Sequence, residues 1–282
     1  MEYNFKIDSV FEKKKPIIGM VHLSPLPGSP LYNPAKCNMD NLTEMALGDA
    51  VKLTNGGVDG LQIENIWDYP YLKGQDIGNE TVAAMTAIAV KVKEAVRIPI
   101  GISCHLNGGF AATATAVAAG AKWVRVFEWV NAYISHAGIT EGIGAKLARY
   151  RSFLKADSDI YYFCDVNVKH GSHFIISDRS ISEQAHDAES EGADALIVTG
   201  FETGISPTYE KVLDFSKSTS LPVFLGSGIT AENARQLLSC SDGAIVGSYF
   251  KKSGNWKNTV DEENVKIFMD MVNQYRNEGN VL

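Results

Sequence analysis

Eight short runs of β-branched and aromatic residues recur along the chain, each followed by a stretch of helical periodicity, and few folds accept that alternation. The runs at 16–23, 58–65, 99–106, 123–130, 160–168, 195–200, 222–229 and 243–250 are predicted strands one to eight. In the second helical stretch Val82, Met85, Ala89, Val92 and Val96 form one apolar stripe, and Val265, Phe268, Met269 and Val272 repeat it in the last. Ser180 followed by Glu183 reads as a capping box opening the fifth helix. Gly57, Gly120 and Gly192 sit where a left-handed residue ends a helix before the next strand. Eight such units close a parallel sheet, so the expected fold is an α/β (β/α)8 TIM barrel. An open doubly wound sheet would be expected to carry a G-x-G-x-x-G turn after strand one, and Val21-His22-Leu23-Ser24-Pro25 is not one.

No low-complexity linker divides the chain, so residues 1–282 read as one barrel domain with a short N-terminal extension, 1–15. A formal charge of −7 argues against nucleic acid as partner, and Lys13-Lys14-Lys15 reads as a solvated edge before strand one. No secretory leader and no membrane-length apolar run is apparent, and no apolar surface patch stands out. Cys37, Cys104, Cys164 and Cys240 form no CxxC, which suits reduced thiols and a cytoplasmic setting.

Side-chain alternation points at the site. With Leu61, Ile63, Ile102, Cys104, Val124, Val126, Cys164, Val166 and Val168 facing the helices, the opposite parity turns polar residues into the barrel. That inward set is His22, Gln62, Glu64, Ser103, His105, Arg125, Asp165, Asn167, Lys169 and Thr199, gathered toward the strands' C-terminal ends, where barrel enzymes carry their chemistry. Arg125 beside Glu64 or Asp165 reads equally well as a structural ion pair. Asp165, lowered by a nearby Lys169 or Arg125, suits a base or an electrostatic stabiliser, and Glu64, if less well paired, an acid; His22 or His105 could move protons and Lys169 could form a Schiff base. His136 and His186 read as surface residues.

Strand seven ends at Gly226-Ser227-Gly228 and strand eight carries Gly247-Ser248, so backbone amides at two adjacent strand ends could seat a phosphate. The loop Thr199-Gly200-Phe201-Glu202-Thr203-Gly204 lies beside that seat and could close over a ligand. The plainer alternative is that these glycines only make tight turns.

The chain resembles the BtpA/SgcQ family over nearly its whole length. The resemblance rests on Gly19-Met20-Val21-His22-Leu23 with Pro25-Leu26-Pro27-Gly28, on Gly56-Gly57-Val58-Asp59-Gly60, and on Glu64-Asn65. It continues through Gly142 with Arg149-Tyr150-Arg151, Asp165-Val166 with Val168-Lys169-His170, and Thr199-Gly200 with Thr203-Gly204. Cys104-His105 and Phe127-Glu128 depart from the family's commoner pattern, both near the presumed mouth.

The resemblance implies a phosphate-binding barrel. One branch is linked to photosystem I biogenesis, and another accompanies sugar-phosphate utilisation under the name of a nucleosidase. His22, Glu64, His105, Arg125, Asp165 and Lys169 are thus the candidate catalytic residues. Asn65, Asn167, His170, Thr199, Gly200, Thr203, Gly204, Gly226, Ser227, Gly228, Gly247 and Ser248 are the candidate ligand contacts. The expected partner is a small phosphorylated ligand, handled by a nucleosidase-like hydrolase, an isomerase or a lyase. No metal or cofactor is predicted, because His22, His105 and His170 have no ligand spacing. Homo-oligomer formation stays open, and the alternative function is a non-catalytic biogenesis factor for a membrane complex.

Overall fold

The computed structural model describes residues 6–200 and 202–279. Its strands are β1 (Ile17–His22), β2 (Gly60–Glu64), β3 (Ile100–Ser103), β4 (Trp123–Val126), β5 (Ala132–Ser135), β6 (Gly138–Glu141), β7 (Tyr161–Asp165), β8 (Ala195–Val198), β9 (Val223–Leu225) and β10 (Gly243–Val246). All but β5 and β6 form a closed parallel barrel in the order β1-β10-β9-β8-β7-β4-β3-β2. Closure is direct: Ile17 stands beside Ala244, Ile18 beside Ile245 and Gly19 beside Val246. The helices α1 (Met39–Asn55), α2 (Asn79–Ala95), α3 (Gly109–Ala119), α4 (Gly144–Phe153), α5 (Ile181–Ser190), α6 (Tyr209–Lys217), α7 (Ala231–Leu238) and α8 (Glu262–Asn277) complete a (β/α)8 TIM barrel. None of the described helices is long and apolar enough to cross a membrane.

Local sequence explains the boundaries. Ser180 Oγ accepts from the Glu183 amide while the Glu183 carboxylate accepts from the Ser180 amide, so the capping box starts α5 as expected. Gly120, in the left-handed region at φ 68°, ends α3. Strand alternation sorts the core into two bodies. Leu61, Ile63, Ile102, Val124, Cys164 and Leu196 pack outward with the helices, while Ile18, Met20, Trp123, Phe163, Ile197, Phe224 and Ile245 fill the barrel. Gly101 makes room for this filling, since a Cβ there would lie 2.1 Å from the Trp123 indole.

Two sequence expectations are corrected. β4 stops at Val126, and residues 127–130 do not extend it; the chain then turns into the β5–β6 hairpin, which the continuous apolar run had hidden. β7 stops at Asp165 and Asn167 takes φ 56°, so the alternation breaks there. Val168 therefore packs inward with Phe127 and Tyr133 rather than outward. Lys13 and Lys14 are exposed, as expected of a solvated edge, but the extension before them also reaches the core. Phe11 is buried under the barrel, its ring centroid 5.3 Å from that of Trp123.

The segment after β10 is pinned by a buried ion pair. Lys251 Nζ lies 2.7 Å from Asp49 Oδ2 on α1, and Asp49 Oδ1 accepts from the Val260 amide at 2.8 Å. Removing one member of a buried pair strands the other's charge. Lys251→Met should therefore lose about 3 kcal/mol of stability, measured as a lower urea midpoint at unchanged slope; a midpoint equal to the parent's would show the pair to be dispensable.

Candidate active site

A cavity of about 440 Å³ opens at the C-terminal ends of the barrel strands. Every strand that borders it contributes at its end or just beyond, as the parity argument requires. Its floor holds a buried bidentate pair: Arg125 Nε donates to Asp165 Oδ2 at 2.7 Å and Nη2 to Oδ1 at 2.8 Å. Both Asp165 oxygens are thereby engaged, and of the two partners only Arg125 borders the cavity. The geometry matches the structural ion-pair alternative for Asp165 rather than a free base.

Glu64, ending β2, accepts from Ser103 Oγ at 2.7 Å and lies 3.2 Å from His105 Nε2. Burial pushes its carboxyl up, but the His105 charge and hydrogen bond and the Arg125 charge outweigh that, holding it well below the usual carboxylate range. Glu64 is thus the well-paired carboxylate, opposite to the acid expected from sequence. The group that stays protonated is Glu128, which burial and next the Asp165 charge push up to about 9. Its Oε2 has no hydrogen-bond partner among the described residues.

His105 is clamped flat, its ring 4.5 Å from that of Tyr71 on one side and 4.6 Å from Phe127 on the other. Its backbone amide is fixed by Asn65 Oδ1 at 2.8 Å. Opposite, His22 Nδ1 lies 3.2 Å from the Trp256 carbonyl and therefore carries the proton, leaving Nε2 as a lone pair. Burial and the Lys251 charge lower His22 to about 4, so it is neutral at physiological pH. Lys169 borders the same space, brought down to about 8 by burial and next by Arg125.

Gly226, Ser227, Gly228, Gly247 and Ser248 all border the cavity. Ser227 is less free than the sequence suggests: its hydroxyl accepts from the Gly200 amide and donates to the Ile205 carbonyl, tying two loops together. Gly228, at φ 68°, is pressed against the Ser206 amide, so this glycine also serves the turn. Gly247 and Ser248 also border the cavity, where a Cβ on Gly247 would stand 3.4 Å from Met20 and 3.5 Å from His22, and Ser248 begins a short 3-10 turn whose first amides lack intrahelical partners. At the rim His170 Nε2 meets Thr203 Oγ1 at 2.8 Å, beside Gly204. Asn65, Asn167, Thr199 and Gly200 do not border the cavity, and Phe201 lies outside the described residues.

Sequence reasoning missed the aromatic wall. Tyr69, Tyr71, Phe127, Tyr133 and Trp256 line the cavity, and His136, exposed as expected, also borders it with its ring 5.6 Å from that of Tyr71. The cluster Trp67-Asp68-Tyr69-Pro70-Tyr71 in the loop after β2 was the available signal, since loops seldom need so many rings for packing. A second departure lies outside the cavity. Phe174 (83% exposed), Ile139 and Ile175 (50% each) and Ile134 (41%) make an apolar patch over the hairpin and the neighbouring turn.

Fold and cavity together define a (β/α)8 barrel with its ligand-sized space at the strand ends. The BtpA family profile matches residues 13–274, and the chain belongs to that family. It is 40% identical to an uncharacterized protein of Archaeoglobus fulgidus over 90% of this chain and 96% of the relative. It is 34% identical to the photosystem I biogenesis protein BtpA of Synechocystis, covering 92% and 88%. Among solved structures, thiamine phosphate pyrophosphorylase from Pyrococcus furiosus superposes with a TM-score of 0.57 at 13% identity, covering 93% and 96%. N-(5′-phosphoribosyl)anthranilate isomerase from the same organism gives 0.52 at 15%, covering 92% and 98%. At these identities the likeness is one of fold.

Two outcomes follow from the buried charges. Asp165→Asn strands the Arg125 cation and should cost about 3 kcal/mol or more, read as a lowered melting temperature; unchanged melting would free Asp165 from its structural role. For Glu128 the folded-state value lies above the ordinary 4.5, so the native state keeps a proton that the unfolded chain gives up. Stability is then lost as pH rises from about 4.5 toward 9, and Glu128→Gln should restore on the order of 2–4 kcal/mol at pH 8 while changing little at pH 4.5. Urea titrations at the two pH values check this, and an equal effect at both would contradict it.

Proposed function

We propose that this chain is an enzyme for a phosphorylated sugar or nucleoside, with the phosphate on the loops after β9 and β10. The observation that carries the reading is the shared cavity. Glycine and serine backbone at Gly247 and Ser248 borders the same 440 Å³ space as Glu64, His22, His105 and Lys169. A phosphate anchored at one wall would hold the rest of the ligand against the ionisable groups, the arrangement that turns binding energy into orientation. Two fold neighbours bear names that specify phosphorylated molecules, thiamine phosphate and phosphoribosyl anthranilate, which supports the class but not the substrate.

Within that class the residues divide the labour. Ionised Glu64 orients His105 and offers negative charge to a developing cation, as an oxocarbenium would require. Neutral His22 presents Nε2 as a proton acceptor. Tyr71 and Phe127 each give one face to His105 and Tyr133 stacks on His173, while Tyr69 and Trp256 border the cavity where an apolar or planar portion of the ligand would lie. The patch of Phe174, Ile139, Ile175 and Ile134 favours a second reading, a docking surface such as a biogenesis factor needs.

Thermal-shift measurements with sugar phosphates and nucleoside monophosphates test the first reading. Ligands bearing a phosphate should raise the melting temperature and their dephosphorylated forms should not. Ser248→Asp should weaken that binding by at least about tenfold through like-charge repulsion while leaving the unliganded melt in place. Equal response of parent and variant would move the phosphate elsewhere.

A further inference from the structure

Lys169 is the one lysine that borders the cavity, and its amine has no hydrogen-bond or ion-pair partner among the described residues. The carboxylates that could neutralise it are committed elsewhere: Asp165 by both oxygens to Arg125, and Glu64 to Ser103 and His105. A lysine kept half-buried beside a guanidinium, with nearby carboxylates already satisfied, costs stability unless its amine is used. The surroundings also favour the neutral amine, since burial and Arg125 both act against the ammonium.

We propose that Lys169 is the nucleophile that condenses with a carbonyl carbon of the phosphorylated ligand, forming an imine. This rests on the phosphorylated-ligand reading above and narrows it to aldehydes and ketones, so to lyase or isomerase chemistry rather than hydrolysis. In the step, the Lys169 nitrogen lone pair forms the C–N bond as the carbonyl π pair moves onto oxygen. One amine proton passes to that oxygen to give the carbinolamine. The second follows as the C–O bond breaks, so the oxygen leaves as water and the C=N bond closes. His22, whose Nε2 keeps its lone pair, borders the same cavity from the β1 side and could take up a proton from the bound ligand. No oxidant or reductant is consumed.

Pyridoxal 5′-phosphate serves as a probe, being simply a phosphorylated aldehyde. The full chain is incubated with it, reduced with borohydride and digested, and the pyridoxyl group is mapped by mass spectrometry. Lys169 should be labelled more than about tenfold faster than any surface lysine, because a larger fraction of its amine is neutral. Inorganic phosphate should slow that labelling, and Lys169→Arg should abolish it while still showing a phosphate-dependent rise in melting temperature. Labelling of Lys169 no faster than the surface lysines, alongside a phosphate-competed thermal shift, overturns the nucleophile and leaves the phosphorylated-ligand reading standing. Pyridoxal without its phosphate separates the other failure: if it labels Lys169 as fast as the phosphorylated probe does, the nucleophile stands and the phosphate seat falls.

Discussion

The guanidinium of Arg125 is the charge around which the barrel mouth is organised. A cation at this depth is tolerable only with its hydrogen bonds filled, and Asp165 on the adjacent strand fills two of them in one plane. The remaining field reaches outward. It helps keep Glu64 ionised, it helps keep Lys169 from holding its proton, and the guanidinium carbon sits 5.2 Å from the centre of the Phe127 ring. The same Asp165 charge acts in the other direction on Glu128, favouring its protonated form. Burial, His105 and this one pair together leave an ionised carboxylate, a protonated carboxyl and an easily deprotonated amine within a single neighbourhood, a division of protonation states useful to acid–base chemistry.

Much of this was legible before any coordinates. Alternation within Gly60–Glu64 and Trp123–Val126 turned Gln62, Glu64 and Arg125 inward, because a strand's period is fixed by its backbone whatever the neighbours are. The same rule failed where the backbone left the strand. Asn167 adopts a left-handed conformation that asparagine tolerates, and nothing in a run such as Cys-Asp-Val-Asn-Val announces it. The hairpin was hidden for a related reason: Phe127 to Val130 read as more of β4, whereas Gly142 and Asn131 turn the chain back on itself through a bond from the Gly142 amide to the Asn131 carbonyl.

Contacts between loops were the least legible. His105 lies between rings contributed by the loops after β2 and β4, and no periodicity links Tyr71 to Phe127. Ser227 illustrates the same limit at the level of one atom. A Gly-Ser-Gly turn suits both an anion seat and a loop brace, and only the position of the Ile205 carbonyl assigns its hydroxyl proton to the second.

The placement of Phe11 bears on how such a barrel exchanges its contents. With that ring set against Trp123 and Phe224, the end of the barrel away from the loops is filled by aromatic packing among the described residues. Exchange is thereby directed to the loop end, where His170, Thr203 and His136 of the β5–β6 turn stand among the groups that border the cavity, so that what binds and what is released would cross the same loops.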